Sequence, residues 1–415
     1  MDRNKVLAGV AGVLVALLIG PRLLDRKPPV VVEEVWRTES PTAPDTTRVT
    51  MDDAPTFPLR GTPELEIRLA EVFPGESALT LSGIPQTLEL DEKGRVLRTT
   101  LDFGDLPDGQ HILTLTLKDG AWPANRAQVT RGITLDRTPP GITLARSSRS
   151  TAQGRTYAVF ARANEPVQAP TVTLDGEAVP AVVLDDAVTI RALTGISVKE
   201  DAGEHPLVIE ARDEAGNLGR FEATTAVAET DFPFGGYIKL SPKKQDDMLN
   251  KKKSEESNSK RKAAYGTKVG LAVPDALFTT PVEGILTSPF GKVRKYNTGI
   301  ERHHLGTDLA APSGTPVVSA ADGQVVLAEM LHIYGNAVIV NHADGISTSF
   351  NHLSAIDVKV GDTVKAGQKV GEVGSTGQST GPHLHWGMVV NGEAVAPEQW
   401  TTRRFDQPLE GDFGE

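Results

Sequence analysis

Cysteine is absent from all 415 residues, which rules out a disulfide framework as the source of stability. Positive charge is scarce as well: 43 Lys and Arg stand against 54 Asp and Glu, and the resulting net charge of -11 argues against nucleic acid as a partner. No His-Glu-x-x-His occurs, so no glutamate stands in the usual place to take a proton from a metal-activated water. Long apolar runs are scarce too. The N-terminal run from Val6 to Gly20 has 15 residues, short of the roughly 20 that a span usually needs. Turn chemistry, in contrast, is abundant: 40 Gly and 28 Pro, with many short alternating segments, predict a mainly β protein. The length suits about three domains.

The short apolar run still reads as a membrane signal. Arg3 and Lys5 precede it, Leu23 and Leu24 can extend it with Arg22 snorkelling, and no Ala-x-Ala site follows. An uncleaved anchor over residues 1–26 is therefore expected, followed by a proline-rich extended tether over residues 27–57. Beyond it the chain repeats itself. Gly109 to Asp119 aligns without gaps on Gly203 to Asp213, an offset of 94 residues, with Leu113, Leu115, Leu117 and then Leu207, Ile209, Ala211 alternating. That period is too long for a solenoid and suits two β-sandwiches, over residues 58–137 and 138–230, with Asp136-Arg-Thr-Pro-Pro140 at the boundary and Asp213 to Asn217 as a hairpin turn. Both resemble bacterial immunoglobulin-like modules, which are most often spacers. A connector over residues 231–272 follows. It opens with a short strand near Phe232 to Leu240, expected to dock on the next domain, and Ser241 to Lys262 carries eight basic and four acidic residues. Asp247 with Lys251 and Glu256 with Lys260 predict a solvated helix there.

The chemistry lies in residues 273–415. Seven of the nine histidines fall between 303 and 385, while His111 and His205 occupy matching places in the repeat and read as strand-entry residues. His383 and His385 are two apart, so an extended strand points both imidazoles to one side. His304 and Asp308 are four apart, but Gly306 and the turn-rich run at 311–316 place them on a loop leading into a strand. With His352 these make five candidate groups. A catalytic zinc needs three N or O ligands and an open position, so three can bind metal while two serve the reaction. His342, on a strand running into a turn, reads as structural, and His332 as a residue at the edge of a cleft.

These segments resemble the lysostaphin-type, LytM-like zinc endopeptidases that cut peptide cross-links in bacterial cell walls. The likeness covers roughly Thr287 to Trp400, through Thr-Ser-Pro-Phe-Gly-Lys-Val-Arg at 287–294, His304-Leu-Gly-Thr-Asp308, Phe350-Asn-His352-Leu and Gly-Pro-His383-Leu-His385. The resemblance implies one zinc held by His304, Asp308 and His385, with His352 and His383 acting on the substrate. His303 competes with His304 for the ligand role, but only His304 keeps Gly306 and Asp308 in register. Phe350 and Trp386 depart from the residues frequent in the family, and neither supplies a ligand. One of His352 and His383 would take a proton from water and the other would donate to the oxyanion or leaving amine; their spacing does not say which. The fold implied is a small antiparallel β domain with a cleft. Peptidoglycan is the expected partner, the stem-peptide cross-link the favoured bond, and the outer side of the cytoplasmic membrane the expected place, since the substrate lies there. A non-catalytic wall-binding regulator of another hydrolase is the alternative, as is an envelope protein with a purely structural zinc.

Overall fold

The computed structural model describes residues 31–37, 47–49, 58–59, 62–69, 75–118, 126–239, 251–297 and 299–414. The expected anchor over 1–26 lies outside them. Among the described residues no helix is long and apolar enough to cross a membrane. Strands dominate, and the chain forms two compact units.

The first unit holds two five-stranded sheets. One runs Thr47–Val49, Val31–Arg37, Glu64–Leu69, Val96–Thr100, Glu89–Leu90, and the other Pro58–Leu59, Arg126–Leu135, Gly109–Lys118, Glu76–Leu81, Ile84–Gln86. Alternation decides which side is buried: Leu65, Ile67 and Leu69 from one sheet meet Leu113, Leu115, Leu117 and Val129 from the other in a single core. Residues 31–37, inside the segment expected to be an extended tether, form a strand. They pair antiparallel with Glu64–Leu69, because a run of valines ending in Val-Trp favours a strand more strongly than the neighbouring prolines oppose it.

The repeat is visible atom by atom. Gly109–Lys118 and Gly203–Arg212 are both ten-residue strands. His111 Nε2 bonds the Pro107 carbonyl at 2.7 Å and His205 Nε2 that of Asp201 at 2.8 Å, each four residues back. Nδ1 meets Ser82 Oγ in one copy and Asp175 Oδ2 in the other. The second copy builds a four-stranded sheet (Ile142–Leu144, Thr156–Ala163, Thr189–Gly195, Ala181–Val183) and a five-stranded one (Ser150–Ala152, Leu218–Ala228, Gly203–Arg212, Gln168–Leu174, Glu177–Val179).

The C-terminal region centres on an eight-stranded sheet. Its order is Ile285–Ser288, Thr307–Ala310, Leu384–Val390, Ile346–Leu353, Gly335–Ala343, Gly323–Leu331, Thr363–Val364, with Glu393–Val395 added beside Leu384–Val390. Ile346–Leu353 is buried throughout, as a strand covered on both faces must be. Two three-stranded sheets flank it. One pairs Phe234–Ile238, the expected docking strand, in parallel with Val293–Tyr296.

The second sandwich and the C-terminal region share one core. Ala145, Ala158, Phe160 and Leu193 belong to the same buried cluster as Val395, Trp400 and Phe405. Trp400 stacks between Phe278 at 5.0 Å and Phe405 at 4.5 Å, and its indole donates to Thr156 Oγ1 at 2.9 Å. Truncating a buried aromatic of this kind costs about 3–5 kcal/mol. Gly195 is required here, since a Cβ would lie 2.6 Å from Glu393 Cβ. A piece cut at residue 270 would leave this apolar surface uncovered.

The helix Lys251–Tyr265 occupies the charged connector. Its i,i+4 pair of Glu256 and Lys260 is present at 3.9 Å, yet the helix is not wholly solvated. Ala264 and Tyr265 pack on Leu327, Leu331, Ala337 and Ile339, and the Arg261 guanidinium lies 3.8 Å over the Tyr334 ring. Residues with helical spacing that are not themselves hydrophobic can still dock when an arginine finds an aromatic face.

Candidate metal centre

Three neighbouring strands of the large sheet carry the site. Thr307–Ala310 and Leu384–Val390 are antiparallel with Asp308 opposite His385, so the register alone brings carboxylate and imidazole together. His304 reaches the same point from the turn after the strand Glu301–His303. Gly306 allows the approach, because a Cβ there would lie 2.6 Å from His385 Nε2 and 2.7 Å from the Trp386 carbonyl oxygen.

The three side chains converge. His304 Nε2 stands 3.0 Å from Asp308 Oδ1, His385 Nδ1 stands 2.9 Å from the same oxygen, and the two nitrogens are 2.9 Å apart. His304 and Asp308 are both buried. The second nitrogen of His304 faces the Pro289 carbonyl at 3.1 Å and Ser288 Oγ at 3.2 Å. A carbonyl can only accept, so Nδ1 carries the proton and Nε2 presents its lone pair to the cluster. Arg294 Nη2 donates to Ser288 Oγ at 2.7 Å and to Asp308 Oδ2 at 3.3 Å, which fixes the carboxylate's other oxygen. Burial alone would raise the Asp308 carboxyl, but the close approach of the His304 and His385 rings outweighs it and holds the group well below the usual carboxylate range. Burial pulls His385 down to about 4. Two imidazole nitrogens and one carboxylate oxygen gathered on a common point fit the donor preference of a divalent zinc.

Two more histidines sit beside this cluster. His383 Nδ1 donates to the Gly381 carbonyl at 2.8 Å, and its Nε2 lies 3.7 Å from Asp308 Oδ1. His352 Nδ1 donates to the Thr376 carbonyl at 2.8 Å, with its ring 4.9 Å from that of His383 and 6.0 Å from that of His385. Each ring therefore has its proton fixed on one nitrogen and offers Nε2. Burial pulls His352 down to about 4, with a smaller contribution from His383 in the same direction. His352 also adopts φ of +64°, a left-handed conformation that a β-carbon resists, and such strain persists only where the surroundings impose it.

The other histidines are placed elsewhere. His303 bonds the Gly291 carbonyl at 3.1 Å and packs edge-on against Phe232. His342 is buried under Phe278, and the backbone nitrogen of His332 bonds Ser257 Oγ on the helix. Spacing alone did not reveal Ser288 and Arg294, which hydrogen-bond His304 and Asp308, although both lie in the Thr-Ser-Pro-Phe-Gly-Lys-Val-Arg segment. His304, Leu305 and His385 also line a cleft of about 1030 Å³, whose walls do not include Asp308, His352 or His383.

Residues 302–397 match the model of peptidase family M23. Over 112 residues the chain is 46% identical to a DD-carboxypeptidase/endopeptidase, Mpg, of Neisseria meningitidis serogroup B, covering 27% of this chain and 26% of that protein. Over 92 residues it is 46% identical to a peptidoglycan DD-endopeptidase, ShyA, of Vibrio cholerae, covering 22% of this chain and 21% of that one. The chain thus spans about a quarter of the length of the curated relatives it matches. Among solved structures, a putative peptidase M23 from Pseudomonas aeruginosa shares 29% identity at a TM-score of 0.45, covering 60% of this chain and 94% of that one. The catalytic domain of lysostaphin from Staphylococcus simulans shares 35% at 0.27, covering 29% and 93%.

Proposed function

We propose, from the match of residues 302–397 to the model of peptidase family M23, that the protein is a membrane-anchored zinc metalloendopeptidase hydrolysing peptide cross-links of bacterial peptidoglycan. The convergence of His304, Asp308 and His385, with His352 and His383 beside them, carries the reading. The first three would hold one zinc ion per chain. Zinc, when bound, acidifies water toward neutrality and polarises a carbonyl.

The remaining work falls to this chain's own residues. His352 and His383 each have Nδ1–H fixed on a backbone carbonyl, so proton movement is confined to Nε2. One accepts the proton of the attacking water at Nε2 and becomes an imidazolium, and the other, entering the reaction as an imidazolium with a second proton on Nε2, donates that proton to the oxyanion or the leaving amine nitrogen, a division worth about 10²- to 10⁴-fold. Arg294 and Ser288 keep the ligand atoms aimed. Residues 1–26 serve as an anchor with the bulk of the chain outside the cytoplasmic membrane, and the two sandwiches act as immunoglobulin-like spacers. The stem-peptide cross-link is the favoured bond, supported by relatives named as DD-endopeptidases.

Protein lacking residues 1–26 should convert cross-linked muropeptide dimers to monomers, leave pentaglycine intact, and stop when a zinc chelator is added. Cleavage of pentaglycine with dimers untouched would overturn the bond assignment alone. Turnover that persists at full rate with all metal removed would overturn the mechanism.

A further inference from the structure

The cleft beside the centre carries a charge opposite to that of the chain. Six cations line it, Lys199, Arg261, Lys262, Lys268, Arg294 and Arg302, against two carboxylates, Glu301 and Glu393, on a protein of net charge -11. Three of the six are already engaged. Arg261 donates to Asn351 at 2.9 Å, Arg294 holds Ser288 and Asp308, and Lys268 lies 3.8 Å from Asp344. The carboxylate of Glu301 is in turn paired with Lys295 at 2.8 Å. Lys199, Lys262 and Arg302 remain: all are exposed, and none forms an ion pair among the described residues.

These three cations come from unrelated parts of the chain. Lys199 follows the strand Thr189–Gly195 of the second sandwich, Lys262 is on the helix Lys251–Tyr265, and Arg302 is on the strand Glu301–His303. The first two lie outside residues 302–397, so they are no part of the shared family frame. The helix is held so that it presents Lys262: Ala264 is buried against the large sheet, Arg261 stacks on Tyr334, and Lys260 bonds Glu329 at 2.6 Å. Clefts lined by one sign of charge concentrate ligands of the other sign.

Resting on the peptidoglycan reading, we infer that Lys199, Lys262 and Arg302 bind free carboxylates of the stem peptides, so that the cleft selects anionic cross-linked peptides over neutral ones. Glycine bridges, or stem peptides whose carboxylates are amidated, offer these cations nothing. Arg302 can grip a carboxylate with two parallel N–H donors, and the lysines act as point charges.

Binding to the metal-free full chain tests the inference without relying on turnover. Calorimetry should show cross-linked dimers with free carboxylates binding about tenfold more tightly than the amidated dimers at low salt, and the gap should close at about 0.5 M salt, where screening is strong. The double variant Lys262→Gln, Arg302→Gln should narrow the preference to about twofold; both side chains are exposed, and an unchanged melting temperature would show the fold intact. Equal affinity of the parent for both dimers overturns the inference, as does a preference that the double variant retains. If zinc-loaded protein hydrolyses both dimers at equal rates, only the carboxylate selectivity falls. If neither dimer binds or is cut, the peptidoglycan reading falls with it.

Discussion

His342 and His352 lie on adjacent antiparallel strands, Gly335–Ala343 and Ile346–Leu353, and by burial they are alike. Desolvation pulls both imidazoles down to about 4. Their nitrogens differ. His342 donates through Nδ1 to the Asp322 carbonyl at 2.8 Å and accepts at Nε2 from Thr348 Oγ1 at 2.7 Å, so both positions are filled by fixed neighbours. His352 has only Nδ1 filled, by the Thr376 carbonyl, and turns the rest of its ring toward His383 and His385. Burial and a shifted pKa therefore do not distinguish the proposed catalytic histidine from a core one here. The nitrogen left for a ligand or substrate does.

The largest effects should follow from removing the convergent set. His304→Ala, Asp308→Ala or His385→Ala should each reduce bound zinc to a trace and activity by about 10⁴-fold or more, since water loses its activation together with the metal. Elemental analysis beside a muropeptide assay decides this, and full zinc occupancy with turnover in His304→Ala would move the ligand role to His303. His352→Ala and His383→Ala should behave differently: zinc stays, and kcat falls by about 10²- to 10⁴-fold. Loss of zinc from either variant would erase the distinction between the ligand set and the flanking pair.

Much of the candidate site is legible in the sequence, and the reason is local. His383 and His385 are two apart on extended backbone, Asp308 begins a strand, and Gly306 marks a close approach, all of which spacing can express. The supports were not visible because they act over distance in the chain: Arg294 reaches Asp308, 14 residues away, and the Thr376 carbonyl lies 24 residues from His352. The same holds for the fold. The two ten-residue strands of the repeat could be read from alternation, but the core shared by the second sandwich and the C-terminal domain could not. One signal existed, since Tyr157 to Ala161 is apolar without alternation, the pattern of a strand covered on both faces, and the strand is buried there. The helix was expected from its charges, while its docking depends on Arg261 meeting Tyr334, a contact between residues far apart in sequence.

The smallest effect on turnover, and the sharpest test of the comparison, belongs to His342. Its folded-state pKa of about 4 lies below the 6.5 of a free imidazole, because a charged ring in that core would lose hydration that Asp322 replaces only in part. The unfolded chain therefore binds a proton that the folded chain refuses between those two values. Stability from this group is fully present above pH 6.5 and declines as the pH falls toward 4, by about 1.4 kcal/mol per pH unit and about 3 kcal/mol in total. His342→Gln should lower stability at neutral pH yet flatten the profile across that window by one proton's slope, while leaving activity at pH 7 within about twofold because no substrate reaches this position. Denaturant unfolding at a series of pH values measures it. Parallel profiles for parent and variant between pH 6.5 and 4 would mean that His342 is not held neutral by the core, and burial could no longer be the property the two histidines share.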